Sequence, residues 1–354
     1  MTQGIGARIQ RKEDARHLHG RGNFVSDMIL PGQSEVAFLR SPIAHGRIRR
    51  IVKPTGTESQ IFIRADLADV AAIVAPTTVP GYKLSEWHPL AHEKVRFVGE
   101  AIAMCVAPTR AEAEDLSEQI EVEFDELPVL VDAQAAKMES TVRIHEQWKD
   151  NVFLMLNYES GFEAKAKGAP VVIRREIALA RQAMVPMEGK AVLARWDDRT
   201  DQLLVYASTQ VPHIIRVGLA QFLGIDQGRV RVISPDVGGG FGYKCILQPE
   251  ELCVAWLALK YRQPFRYVED RREHLVVGAN SRQHQYRLTA HADERGRLLA
   301  LDADITIDGG AYSAWPFTVA LEPGSGALRF PRLPLPHLLR GHEQARLSAL
   351  SRRG

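Results

Sequence analysis

The residues with the most chemical potential lie in one run, Ser234-Pro235-Asp236-Val237-Gly238-Gly239-Gly240-Phe241-Gly242-Tyr243-Lys244. Four of the five residues from Gly238 to Gly242 carry no side chain. Glycine admits positive φ and lets another group approach the backbone, at a cost in chain entropy. Backbone N–H groups exposed in such a loop suit phosphate or oxo oxygens. Two familiar phosphate motifs fail here. A P-loop needs Gly-Lys-Ser/Thr, whereas Tyr243 precedes Lys244 and Cys245 follows it. In the G-x-G-x-x-G spacing, counted from Gly240, the third glycine falls on Cys245. A glycine-rich turn without a ligand is the competing reading. Cys245 has no histidine within several residues, so its context is not that of an activated nucleophile.

The flanking sequence supplies elements that would hold this loop. The apolar run Val230 to Ile233 leads into it as a strand. Upstream, Leu203 to Ala207 reads as a strand, and Ser208-Thr209-Gln210-Val211-Pro212-His213 follows. Pro212 at a first helical position and Gly224 just past the last mark a helix, with Ile215, Leu219 and Phe222 on one face. Gln210 therefore falls between a strand end and a helix start, where a polar side chain can reach a ligand from a rigid backbone. Downstream, Pro249 to Tyr261 reads as a helix with Glu250 and Glu251 in its first turn. Cys253 lies in its apolar set and reads as core.

The loop, the segment Ser208 to His213, and the later Tyr267-Val268-Glu269-Asp270-Arg271-Arg272-Glu273-His274-Leu275 together resemble one family. It is the large, molybdopterin-binding subunit of xanthine dehydrogenases, aldehyde oxidases and aerobic carbon monoxide dehydrogenases. The resemblance runs from roughly Arg11 to Leu321. It implies a mixed α+β and α/β fold: an N-terminal α/β-hammerhead domain, then the first part of a molybdopterin-binding domain. It implies a molybdenum ion held by the dithiolene of a pterin, with protein groups positioning that cofactor from outside. By the same resemblance Gln210 donates its amide N–H₂ to an oxo ligand. Phe241 matches a position whose backbone approaches the metal centre, flanked by Gly240 and Gly242, where glycine is expected because a Cβ would collide with the cofactor; Gly239 joins them among the implied cofactor-binding residues. The pterin's nucleotide stays open, the cytosine dinucleotide being one option. Partners implied are an FAD-binding medium subunit and a [2Fe-2S] small subunit. Cys245 stands where xanthine-oxidising members carry a substrate-binding glutamate, which favours an aldehyde or carbon monoxide type and makes Cys245 the substrate-side candidate. Met187-Glu188 is followed by Gly189-Lys190, a departure from the proline usual in the family.

Composition sets the outer bounds. The chain has 354 residues, 45% apolar and 25% charged, ordinary for a globular protein with room for two cores. No run of eighteen apolar residues and no apolar N-terminal stretch point to a membrane span or leader, so a cytoplasmic location is expected. Three widely spaced cysteines, Cys105, Cys245 and Cys253, argue against a disulfide frame. Without a Cys-x-x-Cys pair, neither an iron–sulfur cluster nor a structural zinc is expected on this chain, and FAD belongs to a partner. The net charge of +2 offers no case for nucleic-acid binding.

The remaining chain reads as an extended segment (1–20), a hammerhead-like domain (21–135), a linker (136–169), the first part of the cofactor domain (170–325) and a basic tail (326–354). Within the first domain, Ala101 to Val106 reads as a buried strand and Thr109 opens a helix through a capping box with Glu112. Glu121 to Phe124 reads as a half-wet strand. Lys94-Val95-Arg96-Phe97-Val98-Gly99-Glu100 is part of the family resemblance, and this unit is expected to fold apart from residues 170–315. His45 and His88 read as surface or packing residues. In the tail, arginine and leucine dominate and no period holds, whereas the family continues for several hundred residues. A shifted frame or truncated gene fits, and so does a genuine basic extension. The family's base glutamate lies in a Gly-Glu context that residues 320–354 do not match, so no catalytic residue is identified. Two readings follow: a molybdenum hydroxylase-type oxidoreductase subunit, incomplete here, or a non-catalytic remnant or assembly module. A nucleotide-binding protein is a weaker third.

Overall fold

The structure, a computed structural model, describes residues 4–75, 80–138, 141–155, 162–281 and 283–313, together with the backbone of 343–349. Most of the tail lies outside the described residues.

The chain opens with a short helix α1 (Asp14–Leu18), then β1 (Ser34–Arg40), β2 (Gly46–Val52), β3 (Ile61–Ile63), β4 (Lys94–Val95) and β5 (Ala101–Ala107). Helix α2 (Arg110–Glu118) starts at the expected capping box: the Thr109 and Glu112 N–H groups donate to each other's side chains at 3.0 and 3.3 Å. β6 (Glu121–Glu126) completes the strand–helix–strand unit. The stretch expected to be a linker, 136–169, instead holds the end of α3 (Ala133–Met138) and all of α4 (Phe162–Ala166). It also buries Ile144, His145, Asn151, Val152, Phe153 and Leu154. Asn151 accepts from the Ile144 N–H and donates to the Val142 carbonyl, so polar groups knit the segment internally.

The second half comprises β7 (Val171–Leu179), β8 (Ala191–Asp197), β9 (Gln202–Ala207), α5 (Pro212–Leu223), β10 (Val230–Ile233), α6 (Pro249–Tyr261), β11 (Phe265–Val268), α7 (Arg271–Val277), β12 (His284–Ala292) and β13 (Leu298–Ile307), with β9, α5, β10 and α6 where the sequence placed them. Gly224 takes φ +65° and closes α5, as its position after the helix requires. Asp270 caps α7 by accepting from the Glu273 N–H at 2.7 Å. In the tail, where no side-chain period holds, β14 (Glu343–Ala349) pairs parallel to β13 through its backbone.

One seven-stranded sheet, ordered β10-β9-β8-β11-β1-β5-β3, runs through both halves. The junction is the parallel pairing of β1 with β11, Ser34 opposite Phe265 and Glu35 opposite Arg266. The expectation that the strand–helix–strand unit folds apart from the later chain is therefore corrected: β5 belongs to the same sheet as β8 and β9. Alternation along a strand dictates which face is buried, not which strand lies alongside. A four-stranded sheet, β14-β13-β12-β7, and a three-stranded one, β4-β2-β6, complete the architecture.

Helix α6 lies on the large sheet against β8, β9 and β11, and Trp256 is 1% exposed there with its ring edge-on to Phe62 at 5.8 Å. Glu250 and Glu251, read as favouring the helix N-terminus, are buried and bind cations. Arg40 of β1 donates to Glu250 of α6 at 2.9 Å and to Glu273 of α7 at 2.8 Å. Charge pairing thus reinforces the junction between the halves. Among the described residues, no helix is long and apolar enough to cross a membrane.

Candidate functional site

β9 delivers Gln210 to the end of the large sheet, and β10 beside it delivers the glycine loop. The backbone around Gln210 is fixed from several sides. Its N–H donates to the Lys244 carbonyl at 3.0 Å, and the buried Thr209 hydroxyl donates to the same oxygen at 3.0 Å. Ser234 donates to the Thr209 carbonyl at 2.8 Å. His213, in the next turn, is exposed.

Gln210 and the loop meet directly. Gln210 Oε1 accepts the Gly242 N–H at 3.0 Å. A Cβ on Gly240 would sit 2.4 Å from both Gln210 Cδ and Oε1. The sequence expectation that glycine there avoids a cofactor is thus given a nearer cause: the glutamine side chain already fills the space. At Gly239 and Gly242 the cause is the backbone, with φ of +97° and +87°. Phe241 adopts φ +52° without being glycine, which costs about 1–2 kcal/mol, and its ring is 69% exposed. Such strain persists only where surroundings impose it.

The surroundings are a buried polar base that the sequence reading did not assign. Glu188 Oε2 accepts from the Gly238 N–H and from Lys244 Nζ, both at 2.7 Å, and the Glu188 N–H donates to the Gly238 carbonyl at 3.1 Å. The Lys244 side chain is fully buried; burial pulls its pKa down while Glu188 opposes that shift. Lys190 donates to Glu251 at 2.8 Å and to the Ile246 carbonyl at 2.6 Å. Tyr243 donates to Glu269 at 2.5 Å, and burial, with Glu269 next, raises its pKa well above the usual value. A Cβ on Gly189 would lie 2.5 Å from the Glu269 carbonyl. The Gly189-Lys190 departure therefore serves this base. No local pattern could have found these partners: Glu188 and Lys244 are 56 positions apart.

With Gly238 and Gly242 so engaged, the N–H groups of Gly239, Gly240 and Phe241 donate to no protein acceptor among the described residues. Cys245 is half-buried, and burial pushes its thiol up, away from a thiolate. No cluster of three metal-ligating side chains occurs among the described residues.

The Lys94–Glu100 segment does different work. Glu100 accepts from the Arg96 N–H at 2.6 Å and from the Tyr312 hydroxyl at 2.7 Å, and Lys94 reaches the Arg143 carbonyl at 2.9 Å. It borders a separate cavity of about 540 Å³ that contains no residue of the loop. His88 and His145 line that cavity, and burial lowers each to about 4. His45 is buried against the Pro128 carbonyl at 2.7 Å, a packing role as expected.

Comparison with known proteins places this geometry in context. Residues 144–327 match the family model described as the molybdopterin cofactor-binding domain. Residues 19–128 match that of the aldehyde oxidase and xanthine dehydrogenase a/b hammerhead domain. The chain is 35% identical to the nicotine 6-hydroxylase large subunit of Paenarthrobacter nicotinovorans, over 90% of this chain and 40% of the relative. It is 30% identical to the carbon monoxide dehydrogenase large chain of Hydrogenophaga pseudoflava, over 88% of this chain and 40% of the relative. Quinoline 2-oxidoreductase from Pseudomonas putida 86 superposes with a TM-score of 0.88 at 33% identity, covering 98% of this chain and 44% of that one. The chain thus spans about 40% of the length of these curated relatives.

Proposed function

We propose that this chain, which belongs to the family of large, molybdopterin-binding subunits of xanthine dehydrogenases, aldehyde oxidases and aerobic carbon monoxide dehydrogenases, supplies one wall of the cofactor site of a molybdenum hydroxylase. Gln210, Gly239, Gly240, Phe241 and Gly242 form that wall. The observation that carries the reading is the distribution of donors. Gly242 occupies Gln210 Oε1, so the amide N–H₂ is the free end of an exposed side chain. Three consecutive N–H groups beside it, those of Gly239, Gly240 and Phe241, have no protein acceptor among the described residues. Donors held in this way fit the oxo or phosphate oxygens of a pterin cofactor. When bound, the cofactor supplies the two-electron oxidation chemistry. The chain's own residues hold and orient it: Gln210 through its amide, the loop through its backbone, and Glu188 and Lys244 by keeping the loop in shape.

The substrate we favour is an aromatic nitrogen heterocycle. Nicotine and quinoline stand in the names of relatives at 35% and 33% identity, against 30% for the carbon monoxide enzyme. Cys245 lies in the turn after the loop, and a neutral thiol there suits an apolar ring better than a purine needing a carboxylate. An FAD-bearing and a [2Fe-2S]-bearing subunit are the proposed electron-accepting partners. No catalytic base is assigned to this chain.

The test is titration of the isotope-labelled full chain with sodium molybdate and with inorganic pyrophosphate. The amides of Gly239, Gly240 and Phe241 and the Gln210 side-chain N–H₂ should shift together. Absence of those shifts up to about 10 mM, under 3 kcal/mol of binding, refutes the reading.

A further inference from the structure

The glycine loop is clasped from outside by the N-terminal arm, and we propose that Arg16 is a positioning residue for it, acting through Asp236. The inference rests on the reading of the loop as a ligand wall, but its geometry stands independently. Asp236 precedes Gly238 by two residues. Both terminal nitrogens of Arg16 donate to its carboxylate, Nη2 at 2.6 Å from Oδ1. The Asn23 N–H donates to Asp236 Oδ2 at 2.7 Å, and the Asp236 N–H donates back to the Asn23 carbonyl at 3.1 Å. His17 Nε2 lies 3.8 Å from Oδ1. One residue at the mouth of the loop is thus bound, through side chain and backbone, to a segment more than 200 positions earlier.

An isolated surface ion pair contributes little, because water screens it and two side chains lose freedom. Three features separate this one from that case. The contact is a planar fork, which fixes direction as well as distance. The Asp236 side chain is only 13% exposed although Arg16 is 40% exposed. The hydrogen bond from Arg16, then that from Asn23, holds the Asp236 carboxyl at about 2.

The arm can transmit a position because its base is fixed. Val25 is fully buried against Ala191 and Leu193. Arg266 of β11 donates to the Ser26 and Met28 carbonyls at 2.7 and 2.8 Å. The arm therefore runs from a rigid root to a tip that ends on Asp236. Glycine cannot hold a loop in one shape by itself. Ser234, Asp236 and Gly238 are each anchored, on Thr209, the arm and Glu188 respectively, just before the three unpaired N–H groups. Asp236 is the anchor that faces outward and so the one an exposed residue controls.

The experiment is site-resolved amide exchange on the full chain, comparing wild type with Arg16→Ala, Arg16→Lys and the charge-exchanged pair Arg16→Glu with Asp236→Arg. The probes are the Gly238 and Gly242 amides, both hydrogen-bonded in the closed loop. Arg16→Ala should speed both by about tenfold while the α6 amides hold their rates, since local opening is set by local contacts. Arg16→Lys should recover part of the protection and the exchanged pair more. Unchanged Gly238 and Gly242 rates in Arg16→Ala overturn the proposal. So does a uniform rise that includes α6. Failure of molybdate and pyrophosphate to bind wild type would remove the ligand reading and leave the clasp to be judged on exchange alone.

Discussion

Adding one methyl group at Gly240 should dismantle the candidate site while leaving the fold nearly intact. A Cβ there would stand 2.4 Å from Gln210 Cδ and Oε1 and 2.7 Å from Cγ. Ordinary contact needs roughly 1 Å more. Gly240 is not among the residues with positive φ, so alanine meets no backbone penalty of the kind expected at Gly239 or Gly242. The strain falls on the glutamine, whose end is flexible and exposed and therefore swings away. What is lost is the bond from the Gly242 N–H, about 1 kcal/mol net. The reduced chain entropy of alanine offsets about 0.4–1 kcal/mol of this. The melting temperature should move by less than about 4 °C. The site should change far more, because the amide N–H₂ is no longer aimed by its own oxygen. Molybdate or pyrophosphate binding should fall by about tenfold, a loss of 1.4 kcal/mol, and Gly242 exchange should quicken. A Gly240→Ala structure with the Gln210–Gly242 bond intact and unchanged anion binding would refute this reasoning.

Glu188→Ala should cost about 3–5 kcal/mol in a urea melt, because the fully buried Lys244 loses the one ion-pair partner it has among the described residues; Lys244→Met in the same chain should recover much of that. Arg40→Ala should cost a similar 3–5 kcal/mol by stranding Glu250 and Glu273 at the junction between β1, α6 and α7; a loss under about 1 kcal/mol would show that the sheet alone holds the halves together. Burial moves His145 from 6.5 to about 4. The unfolded chain takes that proton first, so stability from this group is complete above about pH 6.5 and declines by up to about 3 kcal/mol as the pH falls to 4. Below pH 3.8, protonation of Asp236, held at about 2 in the fold, adds a second loss. Urea midpoints that stay flat between about pH 7 and 4 would contradict the first of these.

The parts of the molecule legible in the sequence are those that local chemistry decides. Thr109 with Glu112 and Pro212 with Gly224 each carry their helix boundary within a few residues, and both form as read. The approach of Gln210 to the glycine loop was legible for a related reason. Both follow strands, and β9 and β10 pair in parallel, which brings their following residues to one sheet end. The junction of β1 with β11 was not legible, because its two paired positions leave no mark on alternation. The Glu188–Lys244 and Arg16–Asp236 pairs were hidden by distance along the chain. A charged residue announces a need for a partner without naming it. Residues 136–169 read as a linker, yet Asn151 and His145 are buried there through their hydrogen bonds, which the sequence alone does not reveal.

The polar base under the loop answers a physical conflict. A row of unpaired N–H groups is useful to a ligand only if it cannot turn inward and satisfy itself. Glycine makes such a row possible and also makes it unstable, since the same freedom permits collapse. The chain resolves this by taking up the N–H groups at both ends of the row. Glu188 takes Gly238, Gln210 takes Gly242, and Gly239, Gly240 and Phe241 are left between them. Each capping acceptor is in turn held: Glu188 by Lys244, and Gln210 through its backbone on the Lys244 carbonyl. Lys244 therefore ties both ends, its ammonium to one cap and its carbonyl to the other. An apolar residue at 244 could fill the space and keep the carbonyl, but it would free Glu188 to accept from elsewhere. The burial of a lysine, costly for stability alone, is intelligible as the means by which one residue fixes both edges of the donor row.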